Sequence, residues 1–141
     1  MPAELVLADT SAWIEFLRGT GSSACEAVEH GVRRRALVVT DPVIGELLGG
    51  ARPHEVDPVL RLMNEQDYRP VAARIDWLDA TEIRRGCRAA GLTVRSLTDC
   101  LVAAVAIRLD VPVLHHDRDF EAIARVTRLR TLPSPAGTAG P

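Results

Sequence analysis

Five acidic residues lie at positions where their spacing could serve chemistry. Asp9 ends the short apolar run ELVLAD, and Asp117 ends the run VPVLHHD, with Asp119 two residues later. Glu46 lies among apolar residues in VIGELLGG, and Asp99 opens the otherwise apolar run SLTDCLVAAVAI. Carboxylates that converge on one pocket repel one another and raise one another's pKa values. Such a pocket therefore requires a cation to neutralise it.

Each acid also has an ordinary structural explanation. Asp9 is suited to capping the helix that follows it, and an aspartate of the DRD segment is suited to capping DFEAIARV. Ser96 and Asp99 match the capping-box pattern [ST]-x-x-[DE], with the acid near the positive end of the helix dipole. Glu46 on an apolar helix face needs a partner, such as an arginine. If there is no shared site, all of these separate explanations must be true at the same time. One cluster of the acids explains their positions together and is therefore favoured.

An all-oxygen cluster is typical of a site for Mg²⁺ or Mn²⁺ rather than zinc. Two such ions activate a water molecule and stabilise the leaving oxygen in phosphodiester cleavage. That mechanism needs no lysine, and all 17 basic residues of this chain are arginine. The absence of lysine excludes P-loop nucleotide binding and Schiff-base chemistry. The residues therefore predict a metal-dependent phosphoryl-transfer site.

The composition narrows the class of protein. A chain of 141 residues with 47% hydrophobic residues predicts one globular domain over residues 1–132, followed by a disordered tail, PSPAGTAGP, over 133–141. No apolar run is long enough to span a bilayer and no signal peptide is apparent, so we expect a cytoplasmic protein. A net charge of −2 argues against a simple basic nucleic-acid-binding module. The cysteines Cys25, Cys87 and Cys100 lack metal-ligand spacing and are predicted to be buried free thiols.

Strand and helix patterns alternate along the chain. Strands are predicted over 4–9, 36–39, 111–117 and 128–132, and helices over 10–19, 23–31, 42–50, 56–64, 74–90, 98–109 and 119–126. The segment 67–72 is expected to be a connector with a brief strand. This alternation predicts a three-layer α/β/α sandwich with a mainly parallel sheet. Ligands in such folds bind at the carboxyl ends of the strands, where strand order reverses.

Three local details are also predicted. Ser23 and Glu26 match a capping box, which makes Ser23 the N-cap of its helix. Asp41 is expected to be the next N-cap, with proline following at the first helical position. Helical spacing in 74–90 predicts an apolar face that includes Trp77 and Ala90.

Four segments occur in an order and at spacings that cover nearly the whole chain: LADTSAWIEFL, TDPVIGELLGGAR, GLTVRSLTDCLVAAVAIRLDVPVLHHDRDFEAIA and LRTL. Together they resemble a PIN domain and, among PIN domains, a VapC-type toxin of bacterial toxin–antitoxin pairs. The resemblance implies an α/β/α fold and an endoribonuclease that depends on Mg²⁺ or Mn²⁺. It identifies Asp9, Glu46, Asp99 and Asp117 as catalytic and metal-binding residues and adds Asp119 to the metal site.

The resemblance also implies supporting groups and partners. A hydroxyl after the first aspartate helps to hold the site, for which Ser11 is preferred over Thr10. An antitoxin of the VapB type is expected to block the site with its C-terminal segment, and a homodimer is expected. The apolar groove for the antitoxin is predicted at Trp13, Phe16, Leu17, Leu47 and Leu48, although core packing is the favoured explanation for at least half of them. The arginines of 33–35 either lie near the site and contact RNA or form a solvated turn.

Two alternatives remain open. Another magnesium-dependent phosphohydrolase of the haloacid-dehalogenase type needs a second acid two residues after the first, where this chain has Ser11, and a response-regulator receiver needs a late lysine. A non-catalytic α/β binding module requires arginines to pair with Glu46 and Asp99. Ser11 and the absence of lysine disfavour the two magnesium-dependent folds, and the binding module predicts that arginines rather than metals neutralise Glu46 and Asp99.

Overall fold

A computed structural model describes residues 4–132 of the chain, so the predicted disorder of 133–141 lies outside the described residues. Five strands form one parallel sheet in the order β3-β2-β1-β4-β5. The strands are short: β1 is Val6–Ala8, β2 is Leu37–Val39, β3 is Asp67–Tyr68, β4 is Val113–Leu114 and β5 is Thr131–Leu132.

Seven helices connect these strands. They are α1 (Thr10–Leu17), α2 (Ser23–Arg33), α3 (Asp41–Gly50), α4 (Val56–Asn64), α5 (Ala73–Ala89), α6 (Leu97–Leu109) and α7 (Asp119–Val126), with a 3₁₀ turn at Pro53–Glu55 before α4. The predicted elements are confirmed, with boundaries that shift by a few residues at most of their ends.

The connections explain the three layers. The chain moves outward from β1 to β2 through α1 and α2, and from β2 to β3 through α3 and α4. It then crosses through α5 and α6 to pair β4 with the other side of β1, and α7 leads to β5. Right-handed crossovers place α1–α4 on one face of the sheet and α5–α7 on the other. Strand order therefore reverses between β1 and β4, where a parallel α/β sheet opens a crevice.

The central helix α6 is buried almost all round. Its residues from Asp99 to Ala106 are all buried, and small alanines at 103, 104 and 106 let neighbouring elements approach closely. A helix that is apolar on every side is stable only inside a core. The helix therefore fixes the depth at which its first turn, including Asp99, meets the sheet.

Two predicted helix caps are wrong by one residue. Ser22, not Ser23, caps α2 by accepting a hydrogen bond from the amide of Cys25 at 3.1 Å. Thr40 precedes α3, and the Asp41 carboxylate instead accepts bonds from Tyr68 Oη at 2.6 Å and from the amide of Val71 at 2.9 Å. Asp41 thus ties α3 to the connector after β3.

The buried face of α5 also differs from the predicted apolar face, which included Trp77 and Ala90. Trp77 is 46% exposed and Ala90 is exposed, whereas Asp76 is fully buried on the same face as Ala80 and Ile83. Asp76 receives two hydrogen bonds from the Arg108 guanidinium of α6, at 2.9 and 2.8 Å, and one from the amide of Ala72 at 2.7 Å. A buried carboxylate that is paired in this way holds α5 against α6.

Cys25, Cys87 and Cys100 are buried free thiols, as predicted. Burial raises the pKa of the Cys100 thiol to about 12, so this side chain behaves as a small apolar residue. Among residues 4–132, no helix has both the length and the apolar character required to cross a membrane.

We expect Arg108→Met to lower the free energy of unfolding by roughly 3 kcal/mol, because it leaves the buried charge of Asp76 without a counterion. Arg130→Met is the matched control. Arg130 pairs with Glu4 at 3.0 Å on the surface, with its own side chain 52% exposed, and its loss should cost less than about 1 kcal/mol. Urea denaturation of both variants measures the difference. Equal losses would contradict the structural role of the buried pair.

Candidate functional site

The carboxyl ends of β1 and β4 meet at the reversal in strand order, and four of the five predicted acids come from the adjoining segments. Asp9 directly follows β1, while Asp117 and Asp119 follow β4. Asp99 enters from the first turn of α6. Single carboxylate oxygens of Asp99, Asp117 and Asp119 all lie within 4.8 Å of one another. The structure therefore brings three of the predicted acids into one compact cluster.

Asp9 both caps α1 and borders this cluster. Its Oδ2 accepts hydrogen bonds from the amide of Ser11 at 3.1 Å and from Ser11 Oγ at 2.8 Å. Its Oδ1 is buried and has no hydrogen-bond partner among the described residues. The pKa of Asp9 is raised to about 6, chiefly by burial and also by the charge of Glu46, while the hydrogen bonds from Ser11 lower it. One oxygen of Asp9 is thus satisfied by Ser11, and the other is buried without a donor.

Asp99 is the most strongly perturbed carboxyl group of the site. Its backbone amide donates to Ser96 Oγ at 3.2 Å, which confirms the predicted cap. The pKa of its side chain is raised to about 8, first by burial and then by the charges of the other acids, in the order Asp9, Asp117, Asp119 and Glu46. Asp9 and Glu46 therefore act electrostatically on the three-carboxylate cluster although they lie outside it.

Glu46 occupies a different environment from the one predicted. It is exposed rather than on the apolar face of α3, and Thr10 Oγ1 donates a hydrogen bond to its Oε1 at 2.7 Å. Both hydroxyls after Asp9 are therefore used, Ser11 on Asp9 and Thr10 on Glu46. Within residues 4–132, no arginine forms an ion pair with Glu46 or Asp99. The arginine pairing that a non-catalytic module requires is absent from that part of the chain.

The turn after β4 orders the last two acids. Asp117 Oδ1 accepts a hydrogen bond from the amide of Asp119 at 3.0 Å. Asp119 Oδ2 accepts from the amide of Arg95 at 3.3 Å, and the Arg95 guanidinium lies 3.9 Å away. Asp119 is therefore the one acid of the cluster with a cationic side chain beside it among the described residues. Arg95 has no sequence signal that would have distinguished it from the other arginines.

These residues fit a hard divalent cation. The donor set is entirely carboxylate oxygen, which suits Mg²⁺ or Mn²⁺ better than zinc. The unpartnered Oδ1 of Asp9 is a buried acceptor that the described protein groups leave unsatisfied. The raised pKa values of Asp9 and Asp99 indicate a site with too little positive charge of its own.

The structure buries some residues of the predicted antitoxin groove and leaves others accessible. Trp13 is completely buried and Leu47 nearly so, and Trp13 packs edge-on against the half-buried Phe16 with ring centroids 5.9 Å apart. Leu17 is 43% exposed, and Leu48 is half-buried. Trp13 is thus a core residue and unavailable to a partner. A cavity of about 840 Å³ between α1, α3 and α4 is lined by Leu17, Leu47, Ile14, Arg18, Glu46 and Arg52, among others.

The arginines of 33–35 lie at the amino ends of the strands, whereas the acids lie at the carboxyl ends. They precede β2, and the carbonyl of the next residue, Ala36, accepts from the amide of Val6 at the start of β1. Arg33 pairs with Glu29 on the surface of α2 at 2.8 Å. Because Asp9 lies at the far end of β1, the interpretation of this triplet as part of the site is wrong, and a solvated turn describes it.

Comparison with known proteins connects this geometry to a family. The family model for the PIN domain matches residues 6–126. The chain is 41% identical over 129 residues to VapC ribonuclease Mb1587 of Mycobacterium bovis, covering 89% of this chain and 96% of that protein. Ribonuclease VapC11 of Mycobacterium tuberculosis matches at the same identity of 41% and the same coverage of 89% and 96%.

Solved structures share the fold at low sequence identity. VapBC2 from Rickettsia felis, bound to a DNA fragment from its promoter, superposes with a TM-score of 0.71 at 15% identity, over 90% of this chain and 96% of that chain. VapC20 of Mycobacterium tuberculosis, a toxin that cleaves the sarcin-ricin loop, gives a TM-score of 0.61 at 19% identity, over 89% and 98% of the two chains. At these identities the likeness establishes the fold.

The folded-state pKa values of about 6 for Asp9 and about 8 for Asp99 both lie above the ordinary value of 3.8. Between pH 3.8 and about 8 the folded chain holds more protons than the unfolded chain, so these groups lower the free energy of unfolding as pH rises. We expect Asp99→Asn to flatten this slope and to raise the urea midpoint at pH 9 in EDTA, because asparagine keeps the capped amide and removes the charge.

Asp79→Asn on α5 is the matched control, since Asp79 is exposed and its substitution changes the net charge equally. Urea midpoints at pH 5, 7 and 9 in EDTA measure the slope for wild type and both variants. If the urea midpoint of Asp99→Asn falls with pH as steeply as that of wild type, Asp99 is not a buried carboxyl group surrounded by other negative charges.

Proposed function

Because this chain belongs to the PIN domain family and, within it, to the VapC ribonucleases, we propose that it is the toxin of a type II toxin–antitoxin pair and cleaves RNA phosphodiester bonds. The observation that carries the proposal is the convergence of Asp99, Asp117 and Asp119 within 4.8 Å, beside the buried and unpartnered oxygen of Asp9. Such a cluster favours a metal-dependent hydrolase over a binding module.

We assign Asp9, Asp99, Asp117 and Asp119 to holding Mg²⁺ or Mn²⁺. When bound, the divalent cation supplies stabilisation of phosphate oxygens and activation of water in the cleavage reaction. Ser11 fixes Asp9 by donating twice to Oδ2, which leaves Oδ1 directed at no other protein group among those described. Asp99 is fixed by the burial of α6, and Asp117 is fixed by the amide of Asp119.

Glu46, which the resemblance also places among the metal ligands, is the exposed acid of the set and lies outside the three-carboxylate cluster, so we propose a different role for it. The hydrogen bond from Thr10 at 2.7 Å restrains its carboxylate at the open side of the site. We assign to Glu46 the orientation of the attacking water and the acceptance of its proton. General-base help of this kind contributes about 10²- to 10⁴-fold to a rate.

Arginines at the rim complement the phosphates of an RNA strand. Arg95 lies beside Asp119 with a side chain that is 66% exposed, and Arg118 is exposed within the turn between the two aspartates. The carboxylates alone would repel a polyanion, so binding of RNA at this pocket requires the cation to be present. Electrostatics thus link substrate binding to metal binding.

The cavity between α1, α3 and α4 is the proposed site for the C-terminal segment of a VapB-type antitoxin. It joins apolar walls at Ile14, Leu17 and Leu47 to the acid Glu46, with Arg18 and Arg52 also in its lining. A segment that fills it with apolar side chains reaches the active-site acids through Glu46. A basic residue of that segment would neutralise the acids in place of the cation.

The homodimer remains a prediction. Exposed apolar side chains on α5, Ile75 at 61%, Trp77 at 46% and Leu78 at 55%, offer a surface for self-association. The mass of the purified chain in solution, measured by light scattering, tests whether the dimer forms.

Removing either buried acid should abolish cleavage. We expect Asp9→Asn and Asp99→Asn to lower kcat/KM for RNA by more than about 100-fold in Mg²⁺ or Mn²⁺, since even groups behind metal ligands contribute up to about that factor. Asp79→Asn should retain full activity, and EDTA should inactivate every sample. Purified, antitoxin-free protein and labelled RNA are the materials of the assay.

Other outcomes separate the alternatives. Activity of Asp99→Asn equal to that of wild type would contradict the assigned site. Cleavage in EDTA would exclude metal dependence. Hydrolysis of p-nitrophenyl phosphate without cleavage of any RNA would favour the phosphohydrolase alternative.

Leu17→Asp tests the antitoxin site. We expect it to weaken binding of the cognate antitoxin's C-terminal segment by at least about 10-fold, because an apolar anchor of an interface contributes more than about 1 kcal/mol. Leu132→Asp changes a leucine outside the cavity that is 42% exposed, against 43% for Leu17, and should leave the affinity unchanged. Calorimetric titration of the segment into each variant gives the Kd values. Equal affinities for the two variants would place the antitoxin elsewhere.

A further inference from the structure

His115 directly follows β4 and is buried, with its side chain only 4% exposed. Its Nδ1 lies 3.1 Å from the backbone nitrogen of Asp117, and its Nε2 lies 3.0 Å from Glu121 Oε1. A backbone N–H can only donate, so Nδ1 must accept and carries no proton in this arrangement. Nε2–H then donates a hydrogen bond to the Glu121 carboxylate. The partners therefore define one tautomer of a neutral imidazole.

The far side of the imidazole is held by α7 and β5. Glu121 Oε1 also accepts a hydrogen bond from Thr131 Oγ1 at 3.2 Å. The ring of His115 packs against Phe120, with centroids 5.4 Å apart and planes tilted by 35°. The backbone amide of His115 donates to the carbonyl of Leu132 at 3.1 Å. The position of the ring is thus fixed independently of the acidic cluster.

The near side of the imidazole sets the turn that carries two of the acids. The bond from the amide of Asp117 to His115 spans two residues, which is the geometry of an Asx turn with an imidazole in place of a carboxamide. Asp117 repeats the pattern, since its Oδ1 accepts from the amide of Asp119 at 3.0 Å. Two consecutive turns therefore direct both carboxylates toward Asp99.

We propose that His115 is a positioning residue for the metal-binding turn 117–119. Its Nδ1 accepts the hydrogen bond of the Asp117 amide, and Glu121 holds the ring in this tautomer by accepting a hydrogen bond from Nε2–H. The inference rests on the proposed function, in which Asp117 and Asp119 hold the cation. His115 acts through the backbone and does not contact the cation, as hydrogen-bonding groups behind metal ligands do elsewhere.

Two variants of matched shape separate this role from simple packing. Leucine and asparagine have the same branched outline, but only asparagine can accept the amide of Asp117. We expect His115→Leu to weaken Mn²⁺ binding by about 10- to 100-fold and His115→Asn to recover most of that loss. A packing role predicts the reverse order, because leucine suits a buried apolar position better. Calorimetric titration of Mn²⁺ alone into each folded protein measures the Kd, and thermal unfolding confirms the fold.

Each result has a defined meaning. A His115→Leu variant that binds Mn²⁺ as tightly as wild type, or no better binding by His115→Asn than by His115→Leu, would overturn the positioning role. Wild-type protein that binds no Mn²⁺ would instead refute the proposed metal site. If neither variant folds, ¹H–¹⁵N spectra of wild-type protein decide the matter. A proton on Nε2 and a slowly exchanging Asp117 amide are expected, and a proton on Nδ1 would overturn the inference.

Discussion

The repulsion among buried carboxylates is the constraint on which the rest of this structure depends. Asp99 is held at the buried end of an apolar helix, where burial and four neighbouring acids raise its pKa to about 8. A buried charge without compensation is among the most costly features a protein can contain. The remainder of the fold must therefore be stable enough to hold these groups together, and a cation must supply what the protein groups do not.

The scaffold meets this demand with hydrogen bonds that come from the backbone and from short hydroxyl side chains. Ser11 donates to Asp9, Thr10 donates to Glu46, and the amide of Asp119 donates to Asp117. Ser11 Oγ also accepts the amide of His116 at 2.8 Å, so one hydroxyl joins the ends of β1 and β4. Among residues 4–132, Arg95 is the arginine that forms an ion pair with the cluster, and it lies at the surface, where solvent weakens its effect. The acids are thus oriented by the protein without being neutralised by it.

Much of this arrangement was predictable from the sequence because it depends on periodicity and on strand ends. Asp9 and Asp117 follow apolar strands, and a parallel sheet brings such ends to one edge. Asp99 was predictable because a capping box introduces an apolar run. The exposure of Glu46 was not predictable, since α3 carries apolar residues on several sides and its pattern does not identify the buried one.

Contacts between distant segments account for the other differences. Asp76 replaces Trp77 on the buried face of α5 because Arg108, 32 residues away, supplies a counterion. His115 gave no signal as part of the site, because an adjacent pair of histidines lacks metal-ligand spacing and its partner atoms lie in a turn and in the following helix. Such pairings depend on three-dimensional packing, which local spacing does not record.

The pairing of β4 with β1 has a consequence for when this protein becomes active. Leu7 pairs with Val113, so the two halves of the acidic site come from opposite ends of the chain and meet only after every intervening crossover has formed. Contacts of such large sequence separation form late in folding because closing the loop between them is entropically unfavourable. A chain that is still being synthesised holds Asp9 but not Asp117, and so contains no assembled centre. Assembly of the acidic centre is in this way confined to the completed fold.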